Sequence, residues 1–175
     1  MYKLREIERK DLDLINSWRN DPELIEQLGS PFRFINYEVD PKWFDSYMIN
    51  RGSQVRCAIV DEADDNILGL VSLVFIDQIN HSAEFHIMIG NRDNQGKGIG
   101  FFAVREMLKH AFNDMNLNRI ELTVSENNNR AKHLYEKNGF ICDGRKRKAR
   151  FKDGRFVDML MNAIIRDDYW GDNPL

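Results

Sequence analysis

The chain has 175 residues, 42% hydrophobic and 30% charged, with a formal net charge of −3 at pH 7. That length suits one domain spanning residues 1–175, large enough to bury a core, and the composition is that of a globular protein and not a disordered one. Net negative charge gives no bulk attraction for nucleic acid, no stretch reaches membrane-spanning length, and the N-terminus lacks an apolar signal core. A cytoplasmic protein without nucleic-acid or membrane partners is therefore expected.

Tyr2 to Ile7 alternates apolar and polar residues, as a half-buried strand does. Asp11 to Asn20 carries Leu12, Leu14, Ile15 and Trp18 at helical spacing, and Glu23 to Leu28 follows Asp21-Pro22 as a short helix. Phe32, Phe34, Ile35 and Tyr37 show no clean period, which suits a substrate-facing loop. Asp40-Pro41 starts a helix whose Trp43 and Phe44 read as core. Gln54 to Val60 and Ile67 to Ile76 predict an antiparallel hairpin around a polar turn. Ala83 to Ile89 is a further strand, Phe101 to Asn113 a helix, and Arg119 to Val124 a strand. A helix containing Ala131, Leu134 and Tyr135 stops at Asn138-Gly139. Phe140 to Phe151 and Phe156 to Ile165 close the chain as a hairpin around Asp153-Gly154. The basic run Arg145 to Lys148, with Arg150 and Lys152, reads as a solvated sheet edge. Cys57 and Cys142 lie in apolar contexts without metal spacing, so buried free thiols and no metal are expected.

Between the strand ending at Ile89 and the helix from Phe101 lies Gln95-Gly96-Lys97-Gly98-Ile99-Gly100. A glycine loop at a helix start is an anion site, because the first helical N–H groups lack partners and the macrodipole adds positive charge. The spacing is neither that of a nucleoside-triphosphate loop nor that of a dinucleotide fingerprint, since position 101 is Phe. About thirty residues on stands Asn128-Asn129-Arg130-Ala131-Lys132-His133-Leu134-Tyr135-Glu136-Lys137-Asn138-Gly139-Phe140.

The loop fits Q-x-x-G-x-G and the second segment N-x-x-A-x-x-L-Y-E-x-x-G-F. Together they resemble the GNAT superfamily of N-acetyltransferases, in particular the branch holding ribosomal-protein N-terminal and spermidine acetyltransferases. The resemblance implies an α+β fold: a central, mostly antiparallel mixed sheet splayed into a V and flanked by helices on both faces. It implies acetyl-CoA as cosubstrate, with backbone groups around Ile87, Met88 and Ile89 holding the pantetheine and polarising the thioester. Gln95, Gly96, Lys97, Gly98, Ile99 and Gly100 would take the pyrophosphate, and Asn128 and Lys132 would also contact the cofactor. Tyr135 matches the tyrosine near the sulfur. A phenol, with a reference pKa of about 10, still holds at neutral pH a proton that a departing thiolate can take.

The incoming amine must also lose a proton. Glu84 and His86, two apart on one strand face, are candidates beside water, with Glu84 favoured because Ala83-Glu84-Phe85 resembles the spermidine-type branch. The acceptor is expected to be a small primary amine. Gln27 to Asn36 holds no acidic residue, and position 75, acidic in spermidine-type members, is Phe. Arg33 with Phe32, Phe34 and Tyr37 instead suits an anionic, ring-bearing acceptor such as a nucleotide-linked amino sugar. The alternatives are a polyamine, a protein N-terminus, or a non-catalytic acetyl-CoA-binding module. A homodimer is left open.

Overall fold

The computed structural model describes residues 1–172; the last three residues of the expected single domain lie outside the described residues. Seven strands form one sheet: β1 (Tyr2–Glu6), β2 (Val55–Asp61), β3 (Ile67–Asp77), β4 (Ser82–Ile89), β5 (Arg119–Ser125), β6 (Ile141–Lys152) and β7 (Arg155–Ile165). Their order is β1-β2-β3-β4-β5-β7-β6, antiparallel throughout except between β4 and β5. That parallel pair needs a crossover, supplied by helix α4 (Ile99–Lys109). The architecture is the α+β arrangement expected from the motifs.

Alternation along the strands sends side chains to two separate cores. On one face, Val71, Leu73, Phe85, Ile120 and Leu122 pack under α4 and α5 (Asn129–Glu136). On the other, Ala58, Val60 and Ile67 pack under α1 (Leu12–Arg19), α2 (Pro22–Glu26) and α3 (Val39–Ile49), through Ile15, Trp18, Leu24 and Phe44. Ile87 and Ile89 lean on the first core and Met88 on the second, as a two-residue period requires. A last helix, α6 (Arg166–Asp172), follows β7.

Several predicted boundaries shift for local reasons. The helix expected from Phe101 begins at Ile99, because Gly98 in the left-handed region (φ 82°) serves as its N-cap. Its C-terminal turn widens into a π-turn over His110–Asp114. The helix expected at Asp40 begins at Val39; Asp40 is buried and accepts from Asn16 Nδ2 (2.5 Å) and from Arg19.

The basic run lies on β6, the sheet's outer strand, and is exposed as expected from Arg145 to Arg150, whereas Lys152 is partly buried and reaches back to the end of α2. Asp158 ties it down, accepting from Arg145 Nε (2.6 Å) and, where the strand bulges, from the Lys148 N–H (2.7 Å). The expectation of two buried thiols fails at Cys142, which is exposed because β6 has no neighbour beyond it; Cys57 is partly buried. No helix among the described residues is long and apolar enough to cross a membrane.

Candidate active site

The site begins where two strands part. β4 and β5 pair over only three rungs, Ser82 with Arg119, Ala83 with Ile120 and Glu84 with Glu121, although both strands continue. The Gly90 N–H donates to the Leu68 carbonyl (2.9 Å), towards β3. Amides alternate sides along a strand, so the N–H groups of Ile87 and Ile89, beyond the last rung, face the opposite edge, where β5 has diverged. Backbone donors left without a ladder must find another partner, and here they face a cleft of about 1460 Å³. Ile87, Met88 and Ile89 all line it.

The glycine loop closes one end. Gly96 (φ 79°) and Gly98 (φ 82°) both adopt conformations that L-residues avoid, and a Cβ on either would meet no atom within 4 Å. The glycines thus solve a backbone problem while leaving the space above the loop open. Gly98 has no side chain with which to cap α4, so the helix's first amides remain available to an anion. Gln95, Gly96, Gly98, Ile99 and Gly100 line the cleft, whereas Lys97 is exposed and outside the lining.

The opposite arm supplies α5. Asn128 is its N-cap: Oδ1 accepts from the Ala131 N–H (3.0 Å), and Nδ2 donates to the Gln27 carbonyl (2.9 Å). Lys132 turns away from the lining and places Nζ on the Glu126 carbonyl (2.9 Å). Tyr135 lines the cleft yet is only 9% exposed, edge-on to Phe85 and tilted against Phe140. Burial pushes its phenol up to about 12, so the hydroxyl stays protonated at neutral pH.

Glu84 and His86 share a face as expected, and both line the cleft with Glu84 Oε1 and His86 Nε2 2.8 Å apart. The expected substrate loop behaves differently. Phe34 is 92% exposed and Tyr37 67%, and neither they, Phe32 nor Arg33 lines the cleft. Phe75 sits in a left-handed bulge of β3 (φ 51°) with its ring exposed, also outside the lining. The wall carries residues that local pattern did not single out. They are Glu26 at the end of α2, Gln27 just after it, Arg130 on α5, and Asp153 in the β6–β7 turn, joined by Lys152 of the basic run.

An anion site, unpaired amides and a proton-bearing phenol around one splayed strand pair are the equipment for moving an acyl group off a phosphate-bearing thioester. That is the class of an acyl-CoA-dependent transferase. Residues 2–141 match the family model described as acetyltransferase (GNAT) domain, and the chain belongs to that family as an acetyl-CoA-dependent N-acetyltransferase. It is similar to the spermidine N(1)-acetyltransferase of Vibrio cholerae serotype O1, at 30% identity over 167 residues, covering 95% of this chain and 94% of that protein. The Escherichia coli K12 protein of the same description is 30% identical over 168 residues, covering 95% and 87%. Among solved structures, that of spermidine N-acetyltransferase from Vibrio cholerae in complex with CoA and spermine aligns at TM-score 0.89 and 30% identity. It covers 96% of this chain and 97% of that one.

Proposed function

We propose that the enzyme acetylates a primary amine of a polyamine of the spermidine type. The observation that carries this reading is a set of three carboxylates lining the cleft from three elements: Glu84 on β4, Glu26 at the end of α2 and Asp153 between β6 and β7. A linear polycation needs acceptors set apart along its length, and a single local cluster would not serve it. Arg150 and Arg155 also line the cleft, so the wall selects by where each charge stands and not by its net sign. The relatives named for spermidine support the same acceptor class. An amino-sugar acceptor rested on Arg33 and the neighbouring aromatics, and loses that support because none of them lines the cleft.

In this reading the glycine loop and the start of α4 hold the pyrophosphate, with Asn128 beside the pantetheine. Acetyl-CoA supplies the activated acetyl group. Glu84, hydrogen-bonded to His86, takes a proton from the substrate ammonium directly or through water. The neutral nitrogen then attacks the acetyl carbonyl, and the unpaired β4 amides stabilise the charge that develops on its oxygen. As the carbon–sulfur bond breaks, Tyr135 donates its proton to the sulfur. Burial makes the phenol a weaker acid, but the same dry environment makes the departing thiolate a stronger base.

Thiol release from acetyl-CoA with spermidine, amino sugars and peptides as acceptors tests the assignment. Spermidine should be turned over with the highest kcat/KM. Glu26→Gln with Asp153→Asn should raise its KM by about 10-fold, since partly exposed pairs contribute a few-fold each. Preference for an amino sugar or a peptide, or an unchanged spermidine KM in the double variant, would overturn the polyamine reading.

A further inference from the structure

The last residues of α2 and the two that follow it are held by donors from three other elements. The Gln27 side-chain Oε1 accepts from Gln95 Nε2 (2.8 Å), at the head of the glycine loop. Gln95 is itself fixed, its Oε1 accepting from Arg130 of α5. The Gln27 carbonyl accepts from Asn128 Nδ2 (2.9 Å) at the start of α5. Lys152, at the end of β6, places Nζ on the carbonyl of Ile25 (3.1 Å) and on those of Glu26 and Leu28. A lysine ammonium has three donors, and here all three serve one short segment at the C-terminal end of α2, beside the Leu28 N–H that also donates to the Ile25 carbonyl (3.0 Å).

Gln95 belongs to the arm that continues β4, and Asn128 to the arm that continues β5. A segment bonded to both arms crosses the open side of the V, and residues 26–30 accordingly line the cleft. We propose that residues 25–28 are a strap that roofs the cleft, with Gln27 and Lys152 as positioning residues that set the acceptor wall against the thioester. The strap carries Glu26 into the lining, and the same lysine brings the neighbouring Asp153 to it. Gln95 and Asn128 stand in the cofactor wall, so the strap ties the place of the acceptor to the place of the cofactor. Roofing also keeps water from the activated acetyl group. The inference rests on acetyl-CoA lying in this cleft, not on the acceptor being a polyamine.

Gln27→Met and Lys152→Met keep side-chain length and remove the hydrogen bonds. Each should raise the KM of the acceptor by about 10-fold, as loss of orientation does, while the dissociation constant of acetyl-CoA stays within about 3-fold. Hydrolysis of acetyl-CoA without any amine should rise several-fold. Gln27→Glu keeps an oxygen that Gln95 can donate to and should restore the KM. The double variant should cost no more than the worse single one, because both changes release the same strap. Folded variants with unchanged KM and unchanged hydrolysis would overturn the proposal. So would KM and cofactor dissociation constant rising together with a lowered melting temperature, the mark of general loosening. A wild-type enzyme inactive on every polyamine would sink the acceptor assignment alone, since the hydrolysis measurement needs no acceptor and still decides the strap.

Discussion

The two walls of the cleft are built by different means. The wall proposed to hold the cofactor is mostly backbone: β4 amides beyond the last rung of the ladder, the start of α4 at Gly98, and two glycines at positive φ. The acceptor wall is mostly side chains reaching across the chain. Gln27 and Gln95 are 68 residues apart, Gln27 and Asn128 101, and Leu28 and Lys152 124. A backbone site is encoded within a few neighbouring residues, because caps, turns and strand ends are local. A side-chain site is encoded only by the whole fold. Its parts can change one at a time while the cofactor wall stays as it is, and this leaves acceptor choice free to vary on a constant transfer apparatus.

The hardest test falls on Tyr135, which belongs to both the core and the cleft: its ring packs in the core and its hydroxyl is assigned to chemistry. Tyr135→Phe keeps the ring contacts with Phe85 and Phe140. Loss of a positioned general acid should lower kcat by about 10²-fold or more while acetyl-CoA affinity barely moves. Steady-state turnover at saturating amine, with a thermal melt to confirm folding, reads the effect. A folded variant turning over at close to the wild-type rate would reduce Tyr135 to packing.

A smaller effect is expected from the backbone side. Gly98 has φ 82°, and a β-branched residue there costs about 1–3 kcal/mol of strain that the loop can relieve only by moving. Gly98→Val should therefore weaken acetyl-CoA binding by about 10-fold or more, with the sheet intact and the acceptor KM at saturating cofactor little changed. Titration of the folded variant by calorimetry measures it. Unchanged affinity would remove the pyrophosphate from this loop and dissolve the contrast between the walls.

What could be read from the sequence follows the same line. The glycine loop and every strand were visible as local patterns, since each is decided by spacing or alternation. Glu84 and His86 were visible as a pair because two residues two apart on a strand must share a face. Glu26, Gln27 and Asp153 carried no such mark: nothing in a short helix end or a hairpin turn says that they meet across the cleft. The aromatics from Phe32 to Tyr37 misled for the converse reason. An irregular, ring-rich segment looks like a binding loop, but Asn20 holds its Ile35 backbone against α1, outside the lining. Cys142 misled because an apolar neighbourhood in sequence does not reveal that its strand is the last in the sheet.

The smallest effect concerns the charge state of the same phenol. Burial raises Tyr135 from its ordinary value to about 12 in the folded chain, whereas the unfolded chain ionises near about 10. The folded state thus holds the proton more tightly, so its contribution to stability is complete below about pH 10 and is lost as pH rises towards about 12. Tyr47, also raised to about 12, and Cys57, raised to about 11, weaken the fold in the same alkaline range, so wild-type stability alone does not isolate Tyr135. The difference between wild type and Tyr135→Phe does. Near pH 11 the wild type should have lost about 1 kcal/mol more, relative to pH 8, than the Phe variant, as measured by denaturant titration. Over the same series, kcat should show no alkaline limb from this group below about pH 10, because a phenol that remains protonated can still deliver its proton. Parallel stability curves for the two proteins would mean that the hydroxyl is solvated in the folded state, and the dry cleft required for proton delivery to the sulfur would then be the part of the mechanism that fails.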